Sequence, residues 1–297
     1  MQSAETNSAN RLRVLLQKPD IIPMPCAWDA LSARLIAQAG FPLTLMSGFA
    51  VSGARLAVPD TGLISFAEMA DQLRLICQAA PELIVIGDGD TGYGNAINVK
   101  RTTREYARAG AAAIMIEDQV SPKKCGHTKG KLVVARAEAR MRIRAAVDAA
   151  AEDRAKILVM ARTDARAVHG FDEAMERCRM FAEEGADILF LEAPESVDEM
   201  RAFCREFHLP KMANMVPGGM TPVLPLPELQ EIGYKIAAYP LVTFSAAIEG
   251  ARRALAAIRE GMLERVPQID FASLKALVGF DDYYCEEQRY KIADEDT

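Results

Sequence analysis

Eight short apolar runs punctuate the chain, and segments rich in Ala, Glu and Arg with helical spacing lie between most of them. The runs are Ile21–Pro25, Leu43–Ser47, Leu83–Gly87, Ala113–Ile116, Ile157–Ala161, Ile188–Leu191, Lys211–Ala213 and Lys235–Ala238. Alternation of short Val-, Ile-, Leu- and Met-rich runs with helical segments reads as βα units, and eight is the number that closes a parallel barrel. In Phe171–Glu184 the apolar residues Ala174, Met175, Cys178, Phe181 and Ala182 share one stripe and Gly185 stops the helix. Arg101–Ala109 ends at Gly110 in the same way. Beyond the eighth run, Phe244–Glu260 reads as one helix and Phe271–Ile292 as further helical material carrying Phe280, Tyr283, Tyr284 and Tyr290. The predicted fold is α/β, a (β/α)8 TIM barrel with extra C-terminal helices. No linker or low-complexity tract cuts the chain, so residues 1–297 are expected to form a single α/β-barrel domain, with an N-terminal tail and helix over 1–20, the barrel core over 21–243 and C-terminal helices over 244–297.

Composition narrows the class. Of 297 residues, 50% are hydrophobic and 26% charged, a balance that supports a large buried core. The net charge of −6 and the lack of a Lys/Arg stripe argue against a nucleic-acid partner. Met1–Asn10 is polar, without the apolar core of a signal peptide, and no apolar stretch approaches the roughly 20 residues that span a bilayer. The expectation is a cytoplasmic protein with no membrane partner. Six cysteines without Cys-x-x-Cys spacing read as reduced thiols, most of them small buried hydrophobes.

Active sites of α/β barrels form at the C-terminal ends of the strands, so the polar residues after each run carry the candidate chemistry. They are Ser47-Gly48, Asp88-Gly89-Asp90-Thr91-Gly92, Glu117-Asp118-Gln119, Arg162-Thr163-Asp164, Glu192 and Asn214. Alone, the Asp-Gly-Asp-Thr-Gly stretch could be just a turn. With Glu117 at the adjacent strand end, however, Asp88, Asp90 and Glu117 would repel one another without a cation between them. Hard oxygen ligands suit Mg²⁺, with Mn²⁺ as the alternative, rather than Zn²⁺. Ser121–Lys131 has no apolar periodicity and reads as a mobile loop over the barrel mouth. Lys129 and Lys131 read as a solvated face. Cys125, between Lys124 and Gly126-His127, stands apart, because flanking positive charge lowers a thiol's pKa from about 8.5. His169, His208 and Trp28 read as structural.

Four motifs taken together, Asp88-Gly89-Asp90-Thr91-Gly92-Tyr93-Gly94, Ile116-Glu117-Asp118-Gln119, Lys123-Lys124-Cys125-Gly126-His127 and Ala161-Arg162-Thr163-Asp164-Ala165, resemble the isocitrate lyase and phosphoenolpyruvate mutase superfamily. The resemblance runs from about Pro25 to about Leu241. It implies a C-terminal helix swapped between subunits in a homo-oligomer, a dimer or a homotetramer built as a dimer of helix-swapped dimers. It also implies Asp88 as the direct Mg²⁺ ligand, with Asp90 and Glu117 holding metal-bound waters. Substrate contacts would come from Ser47, Gly48, Phe49, Asp60, Gly126, Arg162, Glu192 and Asn214, and the catalytic set would be Cys125, Arg162, Lys123 and His127. The loop sequence resembles that of the carbon–carbon lyases, in which a thiol protonates the carbanion expelled by retro-aldol cleavage of a 2-hydroxy diacid bound to Mg²⁺. Three positions depart from the pattern: Leu45 where some relatives have Tyr, Pro217 for the usual Glu, and Ser245 where methylisocitrate lyases have Arg. A small di- or tricarboxylate is the implied partner. A 2,3-dimethylmalate-like diacid is preferred, ahead of 2-methylisocitrate, of oxaloacetate hydrolysis and of phosphonate chemistry of the carboxyphosphonoenolpyruvate mutase kind.

Overall fold

The eight apolar runs form eight parallel strands in the computed structural model, which describes residues 7–126, 128, 130–152 and 156–292. They are β1 (Ile22–Ala27), β2 (Leu43–Met46), β3 (Ile84–Asp88), β4 (Ala113–Glu117), β5 (Leu158–Thr163), β6 (Ile188–Leu191), β7 (Met212–Asn214) and β8 (Ile236–Tyr239). They pair in the order β6-β5-β4-β3-β2-β1-β8-β7. A parallel bridge between Leu189 and Lys211, with the Leu189 amide donating to the Pro210 carbonyl at 3.0 Å, brings the two outer strands together. This is a (β/α)8 TIM barrel. Several strands run one or two residues past the apolar stretch, because backbone pairing continues after hydrophobicity stops: Asp88 pairs with Met115, and Glu117 with Arg162.

Side chains alternate across a strand with period two, and that alternation builds the site. Ile84 and Ile86, Ala113 and Met115, Leu158 and Met160, Ile188 and Phe190, and Met212 all belong to the barrel's inner cluster. The next inward positions are Asp88, Glu117, Arg162, Glu192 and Asn214. The rows that fill the barrel with hydrocarbon therefore end in a ring of polar groups at its C-terminal mouth. At the other end, the helix Ser8–Gln17 adds Ala9, Leu12 and Leu15 to the inner cluster, and Arg11 donates to the carbonyls of Pro81 and Glu82 just before β3. A second cluster fills the layer between the strands and the outer helices.

The helix predicted as Phe171–Glu184 is Phe171–Glu183, with Gly185 left-handed at φ 93°. The one predicted as Arg101–Ala109 begins earlier, at Ala96, because the Asn95 side chain caps it by accepting from the Ile97 and Asn98 amides. Only Val99 of its first turn is fully buried, too little to show the apolar stripe that marks the rest. Contacts divide the chain into two compact units, Met1–Phe244 and Ser245–Thr297. The second unit contains the helices Phe271–Val278 and Phe280–Arg289, separated by a left-handed Gly279 (φ 90°). Phe271, Tyr283 and Tyr290 are exposed there. No helix among the described residues is long and apolar enough to cross a membrane.

Candidate active site

The polar ring encloses a cavity lined by Leu45, Ser47, Gly48, Phe49, Asp88, Cys125, Gly126, Arg162, Glu192 and Asn214, with Met115, Phe190, Met212, Val216, Pro240 and Leu241 completing its wall. It offers about 80 Å³ to the centres of water-sized molecules, where a single water needs about 10–15 Å³. The space suits a small acid.

Ser47 follows β2 directly and caps the helix Gly48–Leu56, its hydroxyl accepting from the Ala50 amide at 3.4 Å. The N-terminus of that helix, with its partial positive charge, opens on the cavity at Gly48 and Phe49. The Gly48 amide donates to Asp88 Oδ2 at 3.1 Å, and a Cβ on Gly48 would stand 2.7 Å from that oxygen. Asp88 Oδ1 accepts from the Asp90 amide at 3.1 Å, and the Tyr106 hydroxyl donates to the Asp88 carbonyl at 2.8 Å. Burial, reinforced by Asp90, raises the Asp88 carboxyl to about 6. Asp90 has φ 47°, in the left-handed region that Asp tolerates better than most residues.

Lys123 is buried between Asp60 Oδ1 (2.5 Å) and Asp90 Oδ1 (2.8 Å). Burial alone would lower its pKa, but Asp90, Asp60 and Asp88 outweigh that and raise it well above the ordinary lysine value. Asp60 and Asp90 thus face a fixed ammonium, and Asp60 meets the loop rather than the cavity wall. Glu117 Oε2 lies 3.3 Å from Arg162 Nε, while its Oε1 is buried with no hydrogen-bond partner among the described residues. Desolvation raises the Glu117 carboxyl well above its ordinary range.

Among the described residues, no three Asp, Glu, His or Cys side chains come together as direct ligands of one ion. The arrangement does fit a hydrated Mg²⁺. Such an ion binds through one or two carboxylates and keeps several waters, and here Asp88 is a buried carboxylate at the end of β3, while Glu117, at the end of the neighbouring β4, has a buried oxygen that lacks a partner among the described residues.

Arg162 is ringed by carboxylates. Asp164 holds it in a fork, Nε to Oδ2 at 2.9 Å and Nη2 to Oδ1 at 3.0 Å, and Glu192 stands 3.8 Å from Nη2. Asn214 Nδ2 lies 3.4 and 3.5 Å from the two Glu192 oxygens. Burial alone would raise the Asp164 carboxyl, but Arg162 and Lys131 outweigh it and bring the carboxyl down to about 2.

The loop lies over this assembly. Gly126 packs so tightly that a Cβ there would be 1.9 Å from Glu192 Oε1 and 2.5 Å from Arg162 Nη2. Cys125 is half-buried in the cavity wall, and its carbonyl accepts from the Thr128 amide and hydroxyl at 3.0 and 2.8 Å. The loop's feet are zipped by an antiparallel bridge between Gln119 and Val133. The Gln119 side chain also clamps Lys124, donating to its carbonyl at 2.8 Å and accepting from its amide at 2.9 Å.

The sequence-predicted residues Ser47, Gly48, Phe49, Asp88, Cys125, Gly126, Arg162, Glu192 and Asn214 all reach the cavity. Asp60, Asp90, Glu117 and Lys123 stand behind its wall. His127, named as catalytic, and Lys129 lie outside the described residues. One expectation is corrected: Lys131 is not a solvated lysine but is 6% exposed, because Asp164 and the Gly126 carbonyl receive its ammonium. Sequence reasoning also passed over Gln119 and Asp164 as individual residues, although both sit in motifs it singled out. It missed most of the apolar wall as well, of which Leu45, Met115, Phe190 and Met212 stand two residues before a polar strand end. His169 and His208 are exposed, and Trp28 packs edge-on against Phe244 at 5.3 Å.

A family model described as phosphoenolpyruvate phosphomutase matches residues 12–259. A 2,3-dimethylmalate lyase of Eubacterium barkeri is 44% identical over 234 residues, covering 79% of this chain and 80% of that protein. A 2-methylisocitrate lyase of Aeropyrum pernix is 45% identical over 249 residues, covering 84% and 79%. Among solved structures, a 2,3-dimethylmalate lyase superimposes with a TM-score of 0.91 at 34% identity, covering 98% of this chain and 97% of that one. An oxaloacetate acetylhydrolase bound to 3,3-difluorooxalacetate gives 0.91 at 33%, covering 95% and 97%. A phosphonopyruvate hydrolase with oxalate and Mg²⁺ gives 0.84 at 28%, covering 96% and 99%.

Proposed function

Because the chain belongs to the phosphoenolpyruvate phosphomutase family, we propose that it is a Mg²⁺-dependent carbon–carbon lyase that cleaves an alkylated malate-type 2-hydroxy diacid to pyruvate and a short carboxylic acid. The observation that carries this reading is the loop: Cys125 lines the cavity, and Gly126 seats against Glu192 and Arg162. A half-buried thiol held there is placed to give a proton to the carbon that departs as a carbanion. Arg162, fixed by the Asp164 fork, takes a substrate carboxylate, and the N-terminus of the helix Gly48–Leu56 takes another. Asp88 would hold Mg²⁺, with Asp90 and Glu117 behind it, and the bound ion would acidify the substrate's hydroxyl, whose proton leaves to solvent as the carbon–carbon bond breaks, and would offset the charge of the emerging 2-oxo acid; solvent returns a proton to Cys125 after product leaves.

The cavity wall favours an alkyl-bearing diacid. Among the described residues, Arg162 is the one cation in the lining, against Asp88 and Glu192, and Leu45, Phe49, Met115, Phe190, Met212, Val216 and Leu241 supply hydrocarbon. A third carboxylate would meet that hydrocarbon or those acids, at a cost a methyl group avoids. This weighs against 2-methylisocitrate, despite the 45% identical relative. We also propose a homo-oligomer, which would cover the exposed aromatic residues of Phe271–Val278 and Phe280–Arg289; light scattering of a monomer at micromolar concentration would refute it. Function is tested by incubating the Mg²⁺-loaded protein with 2,3-dimethylmalate, 2-methylisocitrate, oxaloacetate and phosphonopyruvate and following products by NMR. Pyruvate from dimethylmalate is the expected outcome, and turnover of phosphonopyruvate alone would reject the lyase reading.

A further inference from the structure

Lys131 comes at the end of the loop, five residues after Gly126, yet its ammonium turns inward. It donates to the Gly126 carbonyl and, at 2.8 Å, to Asp164 Oδ1, and its side chain is 1% exposed. The carboxylate it reaches is a fixed post. The Asp164 amide donates to Asp118 Oδ1 at 2.9 Å, and Asp118 is held in turn by the Thr163 hydroxyl at 2.7 Å and Arg177 at 3.0 Å. The same Asp164 forks Arg162. One carboxylate therefore carries both the guanidinium that faces the cavity and the ammonium that hooks the loop's backbone beside Cys125.

We propose that Lys131 is a positioning residue that latches the loop shut: its ammonium ties the Gly126 carbonyl to Asp164, so that Cys125 is held at the cavity only while the loop is docked beside Arg162. Met, of similar length, supplies no donor to either oxygen, and Gln is shorter and carries no charge to set against Asp164. The Gln119 clamp holds Lys124, and the bridge to Val133 holds the feet. Among the described residues, Lys123 ties the start of the loop to Asp60 and Asp90, and Lys131 ties Gly126, beside Cys125, to Asp164. A buried hydrogen bond from a charged donor to a carbonyl shifts an open–closed equilibrium by roughly 10- to 100-fold. The inference rests on the reading of this cavity as the active site, but not on which acid is cleaved there.

The test is Lys131→Met in the full-length, Mg²⁺-loaded protein. Asp164 keeps its fork to Arg162 in this variant, so substrate binding is retained while the latch is lost. We expect kcat on the acid the wild type turns over to fall about 10- to 100-fold, with KM within about threefold. Independently of turnover, alkylation of Cys125 by N-ethylmaleimide in the presence of oxalate, read by peptide mass spectrometry, should accelerate about tenfold or more. The buried Cys178 should stay as unreactive as in the wild type. Lys131→Arg, which keeps a charged donor, should recover part of both losses, and Lys131→Gln serves as the neutral variant if Lys131→Met does not fold. Unchanged kcat and unchanged Cys125 protection would overturn the proposal. So would Cys178 becoming reactive in step with Cys125, which would assign Lys131 to fold stability alone. Failure of the lyase reading would appear in the product panel and leave the alkylation result standing.

Discussion

Replacing Gly126 with alanine adds one methyl group at the tightest point of the site. The new Cβ would stand 1.9 Å from Glu192 Oε1 and 2.5 Å from Arg162 Nη2, whereas carbon and oxygen rest at about 3.3 Å. Neither neighbour can yield easily: Glu192 is 1% exposed with Asn214 against it, and Arg162 is locked in the Asp164 fork. The loop must therefore retreat by more than about 1 Å, taking Cys125 with it, and a displacement of that size at a reacting group costs on the order of 100-fold in rate. That corresponds to about 2.7 kcal/mol of transition-state stabilisation. Folding should be nearly unaffected, because the clash is met by undocking a loop rather than by opening the core. Steady-state kinetics on the preferred diacid, with a thermal melt of the same preparation, reads both quantities. We expect kcat to fall about 100-fold with Tm lowered by no more than a few degrees. A kcat within threefold of wild type would refute the claim that chemistry requires Gly126 docked against Glu192 and Arg162.

Three further outcomes follow from other contacts. Cys125→Ser should abolish cleavage, since a hydroxyl is a far weaker acid than a thiol, while calorimetric affinities for Mg²⁺ and oxalate stay within a few-fold of wild type; full turnover would remove Cys125 from the mechanism. Gly48→Ala pushes a methyl group to 2.7 Å from Asp88 Oδ2 and should weaken Mg²⁺ about 10-fold or more in an activation titration, an unchanged curve being the contrary result. Asp164 has its folded pKa lowered to about 2 from 3.8, so the stability it contributes is present above about pH 4 and lost as pH falls toward 2. The amount is about 2 kcal/mol. Urea melts from pH 5 down to pH 2 should show this loss in the wild type, and a slope equally steep in Asp164→Asn would contradict it.

The barrel was legible in the sequence because a parallel strand buried on both faces must be apolar along its length, and helices on its outside must carry a stripe. Each of the eight runs became a strand, and their polar ends became the site, since a barrel's mouth is the one place where an inward position meets water and ligand. Asp88, Glu117, Arg162, Glu192 and Asn214 could be found this way because each follows two strand positions after an inward apolar residue. What the sequence could not decide was pairing. Lysine is usually solvated, so Lys131 read as surface, and only the fold brings it to Asp164, 33 residues later. By the same token Lys123, next to Cys125's loop neighbours in sequence, proves to be the ammonium between Asp60 and Asp90. Residue type and period determine which face of an element is buried. Which charge meets which is settled only when loops and strand ends distant in sequence converge, because burial makes an uncompensated charge costly and selects the closure in which each has its partner.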